Sequence, residues 1–135
     1  MHEYGLMEAV VSRAREESRS HPGATASRIR VQVGKFALAS RESLEMAFRI
    51  LARGTELEAA LLEMEEVPGH AMCEICGFNG ASDDLGLEDG LPAPLICPSC
   101  GSPLVVTAGG GIALIEIQFQ DRRGRESQDT HRERG

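Results

Sequence analysis

Four cysteines arranged as two C-x-x-C pairs constrain the fold of this 135-residue chain more than any other feature. The pairs are CEICG at 73–77 and CPSCG at 97–101, and glycine follows each directly, which lets the backbone complete a tight turn. Two such turns bring four sulfurs to one centre, each about 2.3 Å from a metal ion in the tetrahedral arrangement that zinc prefers. The spacing therefore predicts a structural zinc ion with no open position for a catalytic water. Its predicted ligands are Cys73, Cys76, Cys97 and Cys100.

The compartment in which the chain works bears on this prediction. No stretch of eighteen or more apolar residues is present, and the first residues lack the basic and apolar regions of a signal peptide. We therefore expect a cytoplasmic protein, in which paired cysteines more often bind metal than form disulfides. A rubredoxin-like iron site and a pair of redox disulfides remain as alternatives.

Two helices and three strands are predicted outside the cysteine region. Apolar residues recur at helical spacing over 4–19 and 41–53, and Ser40 is placed to cap the second helix. Strands are predicted where short apolar runs are bounded by turn residues, at 27–36, 61–67 and 112–119. The methionines on apolar faces, at positions 7, 46, 64 and 72, are predicted to lie in the core. The fold class is α+β, a small three-stranded mixed sheet with two helices.

The cysteine pairs lie in a segment of little periodicity, which indicates a separate unit. We predict an inserted zinc-ribbon-like lobe with four cysteine ligands at 72–108, and an α/β domain formed by 1–71 and 109–120. Residues 121–135 contain no large apolar side chain to offset the entropy of ordering, so we predict that they form a disordered tail.

Charge limits the partners of the chain. Fourteen basic and twenty-one acidic side chains give a net charge of −7, which opposes binding to nucleic acid or to an anionic membrane. No combination of nucleophile and base suggests an enzyme. A zinc-ribbon adaptor module that binds protein or nucleic acid is one function compatible with the cysteine pattern.

The first residues, Met-His-Glu, suggest a second function. A histidine at position two can present the terminal amine, its own amide nitrogen and its imidazole to one metal, and planar nitrogen donors favour Ni(II) or Cu(II). Many chains begin Met-His without binding metal, so a chance histidine is the alternative. Glu3 can equally be an acid favoured by the helix dipole.

Together these segments resemble the HypA/HybF family of nickel metallochaperones, which act in [NiFe]-hydrogenase maturation. The resemblance covers about residues 1–119 and depends on MHE, RVQVGKF, ESLEMAFRILARGTELEAA, EEVPGHAMCEICG and CPSCG. It implies a nickel-binding domain of two helices on a small sheet, joined to a zinc lobe. The resemblance also implies that the four cysteines are the zinc ligands.

The resemblance also implies which residues bind the nickel ion and which proteins are its partners. His2 becomes the nickel ligand, with the Met1 amine and backbone amides near His2 and Glu3 completing the plane, and the Ni(2+) is bound only transiently. The implied partners are a HypB-type GTPase and the precursor of the [NiFe]-hydrogenase large subunit. Homodimerisation is left open.

Overall fold

The computed structural model describes residues 2–85, 95–121 and 126–130 of the chain. Two sheets organise this part of the protein, one of four strands and one of three. Two helices pack side by side on the larger sheet, and the buried core contains residues of both helices and of the sheet. The buried residues of this core are aliphatic apart from Met7, Phe48 and Phe119.

Helices and strands follow one another along the chain without internal repetition. In chain order they are α1 (His2–Ser18), β1 (Thr25–Gly34), a first 3-10 turn (Lys35–Ala37), α2 (Arg41–Ala52), β2 (Leu61–Val67), β3 (His70–Met72), β4 (Asn79–Ala81), a second 3-10 turn (Ser82–Leu85), β5 (Val105–Ala108), β6 (Ile112–Gln120) and β7 (Glu126–Thr130).

Both predicted helices are confirmed. The buried residues of α1 follow the i, i+3, i+4, i+7 pattern of one helix face, namely Met7, Val10, Val11 and Ala14. In α2, Leu44 and Phe48 are buried, and the Ser40 hydroxyl caps the first turn by accepting a hydrogen bond from the Ser43 N–H at 3.2 Å. Met46 is 65% exposed, so its predicted place in the core is wrong. Two positions along a helix are about 200° apart, which turns Met46 away from the face of Leu44.

Within the described residues neither helix is long and apolar enough to span a membrane.

β1 is an inner strand of the larger sheet, whose order is β2-β1-β6-β7. It pairs parallel with β2 and antiparallel with β6, so the predicted mixed sheet is confirmed. Ile29 and Val31 are buried, whereas Arg28 and Arg30 alternate with them in sequence and contact Glu63 of β2 at 3.1 and 3.5 Å. This alternation is the period of two expected of a strand with one buried face.

The sheet has a fourth strand that the sequence did not predict. β7 pairs antiparallel with β6, from Gln120 opposite Glu126 to Glu116 opposite Thr130. The prediction of a disordered tail over 121–135 is therefore wrong for these five residues. A free sheet edge offers backbone donors and acceptors, so a polar segment can pair with it without burying apolar side chains. The tail residues 122–125 and 131–135 lie outside the described residues.

The smaller sheet forms a lobe in the cysteine region. Its order is β4-β3-β5, with both pairings antiparallel. β3 and β4 have only three residues each, too few for a periodic pattern to show in the sequence. The predicted boundaries of this lobe, 72 and 108, stay a prediction.

The lobe is connected to the end of the larger sheet at which β1 ends, because Gly34 lies opposite Val67 of β2 and Val33 opposite Ile112 of β6. At the opposite end, Arg15 in the last turn of α1 contacts Glu56 at 3.2 Å, and the Ala26 N–H at the start of β1 donates to the Glu56 carbonyl at 2.9 Å. Both helices therefore end near the start of β1. From there α1 extends back over the sheet, in the direction of the end of β1 at Gly34, where the chain enters and leaves the lobe.

Three glycines allow the chain segments to cross at this junction. The Phe36 N–H donates to the Gly109 carbonyl at 3.0 Å, and the Gly34 N–H donates to the Gly111 carbonyl at 2.9 Å. A Cβ atom on Gly34 would overlap the Gly109 carbonyl, and one on Gly109 would lie 2.5 Å from the Gly69 Cα. Gly109 also has a φ of +74°, which favours glycine.

This crossing predicts unequal effects of alanine at two neighbouring glycines. Gly34→Ala is expected to lower the free energy of unfolding by about 1–3 kcal/mol, because a rigid backbone atom occupies the space of the new methyl group. Gly111→Ala is the matched control, since nothing lies within 4 Å of its Cβ position. Urea unfolding followed by far-UV circular dichroism measures both, and equal losses would contradict the packing described.

Candidate metal centre

The structure brings together all four cysteines that the spacing singled out. Their Sγ atoms lie within 4.8 Å of one another, and none of the four forms a disulfide. The Sγ atoms of Cys73 and Cys100 are 3.5 Å apart, as are those of Cys76 and Cys97. Four sulfurs at these separations can hold one metal ion at their centre.

The first knuckle (73–78) follows β3 and is closed by two backbone hydrogen bonds. The Cys73 N–H donates to the Phe78 carbonyl at 2.7 Å, and the Gly77 N–H donates to the Cys73 carbonyl at 3.1 Å. Gly77 has a φ of +82°, a conformation that a residue with a Cβ rarely adopts. The glycine after the second cysteine is thus required by the turn.

The second knuckle (97–102) repeats this arrangement. The Cys97 N–H donates to the Ser102 carbonyl at 2.8 Å, and the Gly101 N–H donates to the Cys97 carbonyl at 2.9 Å. Gly101 has a φ of +78°. The repeated C-x-x-C-G sequence therefore corresponds to a repeated turn, and each turn directs two sulfurs to the shared centre.

Each knuckle has one inner and one outer cysteine. Cys73 and Cys97 are 0% and 2% exposed, whereas Cys76 and Cys100 are exposed to solvent. The inner sulfurs also accept backbone hydrogen bonds, from the Cys76 N–H at 3.5 Å and from the Ser99 N–H at 3.4 Å. The centre is therefore closed on the side of the lobe and open on the side of the solvent.

The thiols of the two exposed cysteines differ in pKa. Hydrogen bonds from the hydroxyl and N–H of Ser102 lower the pKa of Cys100 to about 6. A hydrogen bond from the Phe78 N–H lowers the pKa of Cys76, but hydrogen bonding with Cys97 and the other sulfurs outweighs it and raises this pKa to about 12. Because a metal binds thiolates, binding must displace the proton of Cys76.

The N-terminal residues can be placed only in part. α1 begins at His2, and Glu3 lies half-buried in its first turn. Met1 and the His2 side chain lie outside the part of the chain that the structure describes. The nickel ligands Met1, His2 and Glu3 therefore stay a prediction.

Sequence reasoning missed the residues that fasten the lobe to the larger sheet. Ser82 is fully buried, and its hydroxyl accepts a hydrogen bond from the Gly69 N–H at 3.0 Å. Its own N–H donates to the Gly69 carbonyl at 2.8 Å. Nearby, the Lys35 Nζ contacts an Asp83 carboxylate oxygen at 3.4 Å. A single serine or lysine in an irregular segment gives no sequence signal of such a role.

Comparison with known proteins identifies the family. The family model described as hydrogenase/urease nickel incorporation, metallochaperone, hypA, matches residues 1–119. The chain belongs to the HypA family. The hydrogenase maturation factor HypA of Beijerinckia indica subsp. indica is 36% identical over 119 residues, which are 87% of this chain and 98% of that protein. The HypA protein of Streptomyces avermitilis is 33% identical over 125 residues, 91% of this chain and 90% of that one.

HypA structures share the fold as well. The solution structure of the Ni metallochaperone HypA from Helicobacter pylori matches with a TM-score of 0.60. The match covers 98% of this chain and 100% of that one at 17% identity, so it bears on the fold alone. The α+β architecture with a four-cysteine lobe is thus the HypA architecture.

Removing one inner cysteine is expected to affect the lobe far more than the helices. Strands of three or four residues bury too little apolar surface to be stable alone, so the lobe depends on its metal. Cys97→Ala should abolish metal binding there, as measured by elemental analysis. It should also move the amide NMR signals of the lobe, and of the lobe only, to the shifts of unfolded chain.

Ser99→Ala is the control for this variant, because it lies in the same knuckle and keeps all four sulfurs. It should retain the metal. A Cys97→Ala protein that loses the far-UV signal of both helices would contradict the view that the larger sheet and its helices are stable without the lobe.

Proposed function

We propose that this chain is a nickel metallochaperone of [NiFe]-hydrogenase maturation. It binds Ni(II) at its N-terminus, delivers the ion to the hydrogenase large subunit, and holds a structural zinc ion on its four cysteines. The main support for this proposal is the match to the HypA family model, which starts at Met1 and continues to residue 119. It therefore includes both the N-terminal Met-His-Glu and the cysteine site.

The two metals are assigned to different sites by their ligand chemistry. Four thiolates complete a tetrahedron, which suits zinc and leaves no position at which an acceptor can begin to take the ion. Nitrogen donors in a plane suit Ni(II) and leave both axial positions open. The cysteine centre is therefore the site that retains its zinc ion, and the N-terminus is the site from which the nickel ion can be released.

The start of α1 is suited to supply amide nitrogens. The first N–H groups of a helix have no partner within it, so losing the protons of the His2 and Glu3 amides breaks no helical hydrogen bond. Two deprotonated amides also offset the charge of Ni(II). The resulting complex with the Met1 amine and the His2 imidazole is neutral, and the positive end of the helix dipole does not repel it.

The proposed partners are a HypB-type GTPase and the precursor of the [NiFe]-hydrogenase large subunit, both in the cytoplasm. Membership of the family supports this proposal, since its relatives are named hydrogenase maturation factors. The acidic character of the chain supports proteins over nucleic acid as partners. Residues 54–121 contain no lysine or arginine, so the lobe presents no basic surface to a phosphate backbone.

Nickel titration of the protein with its native N-terminus tests the cargo site. His2→Ala should weaken nickel binding at least about tenfold, because it removes one of four nitrogen donors. His21→Ala is the matched control, since that ring stacks on Phe119 at the other end of α1, with centroids 4.1 Å apart. A short extension ahead of Met1 should act like His2→Ala. Unchanged affinity in both the variant and the extended protein would exclude the N-terminal site.

The same ligands predict a strong dependence on pH. The amine has an ordinary pKa of about 7.7–8.0 and imidazole one of about 6.5, and metal binding displaces protons from both. Protons compete better as the pH falls, so nickel affinity should fall by at least about tenfold per pH unit below 7.5 and be lost near pH 6. Competition with a chromophoric chelator measures this, and constant affinity between pH 6 and 8 would rule out these ligands.

A further inference from the structure

We propose that the four-cysteine centre is an oxidation site for hydroperoxides, which release its metal and close two disulfides across the knuckles. The pairs are Cys73 with Cys100 and Cys76 with Cys97. The released metal is the zinc ion of the proposed function, so this part of the inference rests on that assignment. The pairing of the cysteines rests on the sulfur positions alone.

Exposure determines where oxidation begins. Oxidation of a cysteine requires that its sulfur be reached from solvent, and only the outer sulfurs, Cys76 and Cys100, meet this condition. The inner sulfurs, Cys73 and Cys97, are 0% and 2% exposed. Each knuckle thus offers one sulfur for attack on a peroxide and keeps a second sulfur shielded from it.

The distances between the sulfurs determine which inner cysteine attacks the oxidised outer cysteine. The two sulfur contacts at 3.5 Å each join an outer cysteine of one knuckle to an inner cysteine of the other. Bonded sulfurs lie about 2.0 Å apart, so each pair has about 1.5 Å to close. Each outer cysteine therefore has an inner partner in the opposite knuckle, already in van der Waals contact.

The reaction balances in two steps for each pair. An outer thiolate attacks a peroxide oxygen, so an S–O bond forms, the O–O bond breaks and hydroxide leaves. The inner thiolate then attacks the oxidised sulfur, so the S–S bond forms, the S–O bond breaks and a second hydroxide leaves. Each pair of sulfurs loses two electrons, which the peroxide gains. Two peroxide molecules convert four thiolates into two disulfides and set the Zn(2+) free.

The pairing preserves the lobe after the metal has left. Disulfides across the knuckles keep 73–78 and 97–102 together, as the metal does. In an unfolded lobe the cysteines nearest in sequence meet most often, and these are the two within each C-x-x-C. Cross-knuckle pairing therefore indicates that the lobe stays folded during oxidation, so that reduction and zinc can restore the centre.

Zinc release and disulfide mapping test this on the full chain. Elemental analysis first establishes the zinc content, hydrogen peroxide is then added, and a chromophoric chelator follows the metal. We expect one zinc ion per two peroxide molecules consumed. A protease that cleaves after glutamate separates Cys73 from Cys76 at Glu74, and both from the second knuckle at Glu88. Under non-reducing conditions the three cysteine peptides should stay linked, and fragmentation between Cys97 and Pro98 assigns the partners.

Several results would overturn the proposal. Disulfides within each knuckle would leave the peptide of the second knuckle separate, and sulfinic acids without disulfides would exclude the second step. A dimedone label, which traps the first oxidised sulfur, should appear on Cys76 or Cys100, and labelling of Cys73 or Cys97 first would contradict the order. A protein isolated without zinc would contradict the proposed structural metal, but mapping its oxidised form would still decide the pairing.

Discussion

Both connections between the larger sheet and the lobe pass through one crossing, where Gly34, Gly69 and Gly109 bring three backbone segments together. Side chains at these positions would force the segments apart, because the nearest atoms at Gly34 and Gly109 are backbone atoms that cannot move independently. The hydrogen bonds of Ser82 to Gly69 then fix the lobe next to the end of β1. The position of the cysteine centre relative to the start of α1 depends on this crossing.

That arrangement separates the two kinds of metal chemistry proposed for this small protein. The centre in the lobe offers sulfur ligands from two rigid turns, and its proposed role is to hold together a segment that cannot bury enough apolar surface. The proposed nickel site uses nitrogen atoms at a helix start, where the backbone amides have no other partner. A ligand set that is pre-arranged by rigid turns suits retention, whereas one assembled from a chain terminus suits release.

The sequence predicted those parts of the fold whose signals are local or periodic. Leu44 and Phe48 recur at helical spacing, Ile29 and Val31 alternate with arginines, and each C-x-x-C-G gives one turn. The sequence could not predict β7, because its pairing with β6 uses backbone groups that every residue carries. It could not predict the contact of Lys35 with Asp83 either, since nothing local connects residues 48 positions apart.

The composition of the described lobe has an electrostatic consequence. Residues 54–121 contain twelve acidic side chains and no lysine or arginine, while the remaining residues contain all fourteen lysines and arginines and nine acids. The described lobe contributes Glu74, Asp83 and Asp84 to this imbalance, and Lys35 offsets only part of it. A field of this kind raises the local concentration of divalent cations and weakens with ionic strength. Before any ligand atom makes contact, the field around the described lobe therefore favours the approach of dications.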